Sequence, residues 1–118
     1  MRVSARFREY VVDQLSGIPG IRDRAMFGGV GLYAGDVFFG LIAADVLYFK
    51  VDDSNRQDYA SAGYGPFKPY PDRVMTMPYY PVPVAILEDA PTVAQWAARA
   101  VRGAIASKKP AKKRSKTR

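Results

Sequence analysis

The 118-residue sequence contains no cysteine and no histidine. Without cysteine there is no disulfide, no thiolate nucleophile and no cysteine-based zinc site, a composition that suits a reducing compartment. Without histidine the ordinary general base near neutral pH is missing, and so are the commonest metal ligand and the Ser-His and Cys-His pairs of covalent catalysis. Long apolar runs are missing too, since none approaches the roughly 18 residues that a membrane span requires. Arg2, Arg6 and Arg8 stand near the N-terminus, but Glu9, Asp13 and Gln14 interrupt the apolar residues behind them, so no signal-peptide core forms. The expectation is a soluble, cytoplasmic, non-enzymatic protein with no catalytic residues, no metal and no cofactor.

Acid is missing from one place in particular. The net charge of +7 resides in Ser107 to Arg118, which holds Lys108, Lys109, Lys112, Lys113, Arg114, Lys116 and Arg118 and no carboxylate, whereas residues 1–106 balance 11 cations against 11 acids. The hydrophobic content of 48% over this length supplies one core. The organisation expected is therefore one neutral domain over residues 1–106 and a disordered basic tail over residues 107–118, too poor in apolar side chains to order itself in isolation.

Phe7, Val11, Leu15 and Ile18 recur at helical spacing with Arg6, Glu9 and Asp13 on other faces, which predicts a helix from Ser4, a capping residue, to about Ser16. Gly17 and Pro19-Gly20 end it. Three β-like runs follow, Met26 to Tyr33, Val37 to Ala43 and Val46 to Val51, separated by short turns at 34–36 and 44–45, and they read as an antiparallel meander. Asp52 or Asp53 is placed to cap a short helix over Arg56 to Ala62. Arg73 to Met77 reads as a fourth strand ending at Pro78, and Pro81-Val82-Pro83 as a rigid elbow. Glu88, Asp89 and Pro91 open a last helix whose stripe runs Val93, Trp96, Ala97, Ala100, Val101, Ala104, Ile105. The fold class is α+β: an antiparallel sheet of about four strands flanked by an N-terminal and a C-terminal helix.

Gly29-Val30-Gly31 has a superficial likeness to a dinucleotide loop. The next glycine is Gly35, one position late, and a strand follows where a helix N-terminus is needed. Glycines in a strand instead mark a bulge or a close approach, with Phe27, Tyr33 or a side chain of the first helix filling the space. Asp36, Asp45, Asp52, Asp53 and Asp58 fall in turns and caps, where aspartate bonds its own backbone, and not at calcium-loop spacing. Tyr64, Phe67, Tyr70, Tyr79 and Tyr80, interleaved with Lys68 and Arg73, form an aromatic segment suited to a protein partner or to roofing the sheet; stacking on nucleic-acid bases is the alternative. The seven tail cations favour polyanions through counterion release, without base specificity.

Taken together, Met26-Phe27-Gly28-Gly29-Val30-Gly31-Leu32-Tyr33, Phe39-Gly40-Leu41-Ile42-Ala43 leading to Leu47-Tyr48-Phe49-Lys50-Val51, Thr76-Met77-Pro78-Tyr79-Tyr80-Pro81-Val82-Pro83 and Trp96-Ala97 resemble the N-terminal domain of the TfoX (Sxy) family over about residues 4–106. Met26, Phe27, Gly28, Gly29, Gly31 and Tyr33 are its structural signature here. The resemblance implies an α+β domain in bacterial transcription regulation of the competence type, working with a transcription-factor partner such as the cyclic-AMP receptor protein, and no catalytic residues. Full-length regulators of this family carry a second, C-terminal domain where this sequence has its basic tail, and Pro78 stands where serine is usual. The alternative expectation is a protein-interaction or homodimerisation module whose tail only solubilises it.

Overall fold

A computed structural model describes residues 3–26, 28–63, 65 and 78–116, from Lys108 onward as backbone alone. The elements are α1 (Ala5–Gln14), β1 (Ile21–Met26), β2 (Gly29–Ala34), β3 (Val37–Ala43), β4 (Val46–Lys50), α2 (Arg56–Ser61), β5 (Tyr79–Pro81), α3 (Val84–Leu87) and α4 (Ala90–Lys116). The strands make one antiparallel sheet in chain order. The class is α+β, as expected, with one more strand than expected.

The first helix starts where its cap requires. The Ser4 hydroxyl accepts from the Phe7 N–H at 3.1 Å, and the Ser4 N–H donates to Asp45 Oδ1 at 2.7 Å, which ties the chain start to the β3–β4 turn. Val11 and Leu15 are fully buried against the sheet. With Val93, Ala97 and Ala100 of α4 they cover one sheet face, made by Val30, Leu32, Phe39, Ile42, Leu47 and Phe49. Trp96 and Val101 sit at the margin of the α4 stripe, and Ile105 is 39% exposed at its end.

The run Met26 to Tyr33 is not a single strand. A turn divides it, with Gly28 at φ +80° and Met26 paired with Gly29 across it. The strand before the turn escaped notice because Arg22, Asp23 and Arg24 give β1 little β-propensity; such charges are usual on an edge strand, where they discourage pairing with other chains. The expected strand at Arg73 to Met77 lies outside the described residues. Among the described residues the last strand of the sheet is Tyr79–Pro81, in the stretch leading into the proline elbow, with Tyr80 opposite Phe49 and Tyr79 opposite Lys50. Pro81 is tolerated there because β5 is an edge.

Two shorter features also differ from expectation. Val84–Leu87 forms a helical turn ahead of α4. Asp52 does not cap α2: its N–H donates to Asn55 Oδ1 at 2.8 Å and its Oδ1 accepts from Ser54, so it closes the turn before the helix, whose N-cap residue is Asn55. At the other end, the helical backbone of α4 continues to Lys116.

Candidate functional site

The glycine-rich signature is a packing device. A Cβ on Gly29 would stand 2.6 Å from the Ile42 carbonyl oxygen, and one on Gly40 2.8 Å from that of Tyr48. Gly31 makes room for Met26 and Phe38, whose atoms would lie 2.7 and 3.1 Å from an added Cβ. These are the occupants of the space, in place of Tyr33 or a side chain of α1; Phe27 lies outside the described residues. At Gly29 and Gly40 the neighbouring strand's backbone takes the place of a side chain.

A bulge in β3 then sorts the aromatics. Leu32 pairs with Gly40 but Tyr33 pairs with Phe38, so Phe39 is the extra residue and turns inward beside Gly40. Phe39 meets Phe49 in the core at 5.8 Å. Phe38 turns to the opposite face, between Tyr33 at 5.2 Å and Tyr79 at 5.6 Å, and the Arg22 guanidinium lies 5.6 Å from the Tyr33 ring centre. Burial pushes the Tyr79 phenol up to about 12, and its neighbour Tyr33 adds to the shift. Sequence reasoning missed this row because it treated the run 37–43 as a regular strand, whereas the bulge sets Phe39 on the same face as its neighbour Gly40.

Tyr79 and Tyr80 are consecutive on a strand and therefore face opposite ways. Tyr79 joins the Phe38 row, buried at 6% exposure. Tyr80 lies on the core side, 5.7 Å from Tyr59, which in turn meets Trp96 edge-on at 4.8 Å. Arg56 lies beside Asp53, at 2.5 Å, and Tyr80, and these two hold its pKa up in that order of effect. Arg99 of α4 pairs with Asp58 of α2. The Tyr59 hydroxyl is buried with no hydrogen-bond partner among the described residues, and burial, with the Asp58 charge adding and Arg99 opposing, pushes its pKa far up. Thus Tyr79 and Tyr80 do not share a patch. Tyr64, Phe67 and Tyr70, the other members of the expected partner-binding set, lie outside the described residues.

Open relief lies along β1. Two adjoining depressions of about 530 and 490 Å³ run between α1 and the β1–β2 hairpin, and both are lined by Arg8 and Glu9. Arg8 Nε donates to Asp23 Oδ2 at 2.6 Å across the groove, each side chain about one-third exposed. Among the described residues no three carboxylates cluster closely enough to hold a metal ion, and no helix is long and apolar enough to cross a membrane. The tail cations Lys108, Lys109, Lys112, Lys113, Arg114 and Lys116 lie on the continued helix, with their side chains outside the description; Arg118 lies outside it altogether.

An antiparallel sheet backed on one face by an N-terminal and a long C-terminal helix, with a glycine-rich hairpin at its edge, defines the class as a small α+β domain. The chain belongs to the TfoX N-terminal domain family, whose family model matches residues 13–104. No curated protein matches the chain.

Proposed function

We propose that this domain is a non-enzymatic, cytoplasmic regulatory module of bacterial gene expression, of the competence-regulator type, which binds a protein partner such as a transcription factor of the cyclic-AMP receptor class while its basic C-terminus adds sequence-independent DNA affinity. Family membership supports the regulatory part. The observation that carries the DNA part is charge segregation: a neutral body over residues 1–106 and seven cations with no acid beyond it. Lys108, Lys112 and Lys116 recur one helical turn apart, a spacing at which like charges repel and a polyanion relieves the repulsion. The absence of histidine and cysteine supports a non-catalytic role.

Deleting residues 107–118 and measuring DNA binding at two salt concentrations tests this reading. The full chain is expected to show a log-affinity slope against log salt approaching roughly −6 when all seven cations engage, at about −0.9 per neutralised phosphate, and the shortened chain a slope near zero. Equal affinity and slope for both chains would leave the alternative, a protein-interaction or dimerisation module with a solubilising tail. A pull-down with and without nuclease then separates a protein partner from a nucleic-acid bridge.

A further inference from the structure

We propose that the free edge of β1 and the groove beside α1 receive an extended segment of the protein partner by strand addition, and that this segment alternates acidic and apolar residues. The inference rests on the protein-partner part of the function proposed above and names its surface.

The two edges of the sheet are unlike. β5 is three residues long, ends in Pro81 and lies between Pro78 and Pro83, so it offers few donors. β1 is six residues long with no proline. Its register with β2 fixes which groups point outward. The Gly35 N–H donates to the Gly20 carbonyl at 2.8 Å, and Gly20 and Gly35 continue the same register, so even-numbered residues of β1 bond to β2 and odd-numbered ones present their N–H and C=O to the open side. Ile21 spends its N–H on the Ile18 carbonyl at 3.2 Å. Among the described residues no hydrogen bond takes up the N–H of Asp23 or Ala25, and both exposed groups border the groove.

Charge decides the occupant. Two copies of β1 can pair antiparallel only with odd residues facing odd residues. The registers centred on Arg22, Asp23 or Arg24 set arginine against arginine: Arg22 against Arg22, the two crosswise with Asp23 against Asp23, or Arg24 against Arg24. A second copy is therefore repelled in every register that pairs more than three residues of each β1. Arg22 and Arg24 are exposed on the side away from α1, and no ion pair among the described residues engages either. Asp23, which faces α1, already holds Arg8. A docked strand thus meets on one side two cations with no carboxylate partner among the described residues, Arg22 over the Tyr33 ring and Arg24, suited to carboxylates at alternate positions. On the other side its intervening residues enter the groove, whose half beside Ala25 is lined by Val3, Ala5 and Val30 and suits small apolar side chains. Arg8 and Glu9 border both halves, and Asp13 and Asp23 the half beside Val12.

The probe is a fluorescein-labelled octapeptide alternating glutamate and valine, with a lysine–valine octapeptide and a blocked glutamate–valine octapeptide as controls, titrated into the full chain and followed by anisotropy and amide hydrogen exchange. The alternating acidic peptide is expected to bind tighter than both controls and to protect the Asp23 and Ala25 amides. Ala25→Pro removes one outward donor without touching the β1–β2 ladder and is expected to weaken binding about tenfold. Arg22→Glu with Arg24→Glu changes only exposed side chains and is expected to reverse the preference toward the lysine–valine peptide. No binding, protection elsewhere, or affinities unmoved by both variants overturns the proposal and leaves the charged edge as a guard against aggregation. A natural partner captured equally by wild type and Ala25→Pro also overturns it while leaving the protein-partner reading intact, and the salt test of the tail is independent of either.

Discussion

The Asp52 carboxylate rests against Gly103: a Cβ on Gly103 would stand 2.6 Å from Asp52 Oδ2, while Asp52 Oδ1 accepts from the Ser54 N–H at 2.9 Å and the Ser54 hydroxyl at 2.6 Å. The Ser54 hydroxyl bond is the main reason the Asp52 pKa lies below its ordinary value. The carboxylate therefore cannot yield without losing bonds, which explains a glycine inside a helix, where it costs about 1 kcal/mol relative to alanine. Gly103→Ala is expected to destabilise by about 1 kcal/mol despite its better propensity, and to stabilise by about 0.5–1 kcal/mol when Asp52→Ala has cleared the space. Urea unfolding of the four proteins in the cycle measures this; additive effects would show that the contact imposes nothing.

The Tyr59 hydroxyl, without a hydrogen-bond partner among the described residues and set between Tyr80 and Trp96, gives a second expectation. A buried polar group without a hydrogen bond carries a desolvation penalty of about 1–3 kcal/mol. Tyr59→Phe keeps the ring contacts and removes the penalty, so it is expected to raise stability by about 1 kcal/mol near pH 7. A loss of similar size in urea unfolding would mean that the hydroxyl has a partner in solution.

Alkaline pH follows from the same burial. The Tyr79 phenol is raised to about 12, and that of Tyr59 is raised further. Below pH 10 these phenols are neutral in folded and unfolded chains alike, and the stability they contribute is fully present. Between pH 10 and 12 the unfolded chain releases protons that the folded chain keeps, so stability falls by about 1.4 kcal/mol per pH unit for each group. Tyr79→Phe is expected to make the fall between pH 10 and 11.5 shallower by that amount. Parallel wild-type and variant curves over this window would contradict it.

What the sequence makes legible depends on how local the cause is. Ser4 as a cap, the α1 stripe ending in Val11 and Leu15, and the turn at 44–45 are all decided within a few residues, and all are read correctly. Phe39 turning inward and Tyr79 parting from Tyr80 are decided by pairing partners: a bulge opposite Leu32 and Tyr33 in the first case, the β4 register in the second. Arg22, Asp23 and Arg24 look unlike a strand because an edge exposes them, so the groove beside β1 could not be found from the sequence. Gly103 is likewise unremarked in a helical stripe until Asp52, 51 positions earlier, is placed against it.

The signature glycines and the β3–β4 turn permit a paired test of backbone proximity. At Gly29 an added Cβ meets the Ile42 carbonyl, a backbone atom held by the β2–β3 ladder, so the strands themselves must part. Gly29→Ala is expected to cost about 2–3 kcal/mol, in the range of enforced overpacking. Ala44 is the converse case, an alanine at φ +52° in a two-residue turn between Ala43 and Val46. A left-handed alanine costs roughly 1–2 kcal/mol, partly offset by the greater freedom glycine has in the unfolded chain, so Ala44→Gly is expected to stabilise by about 0.5–1 kcal/mol. Both are read in the same urea series, and the two must move in opposite directions. Were Gly29→Ala silent in stability but damaging to partner or DNA binding, the glycine would owe its place to a ligand's approach and not to the packing of β2 on β3.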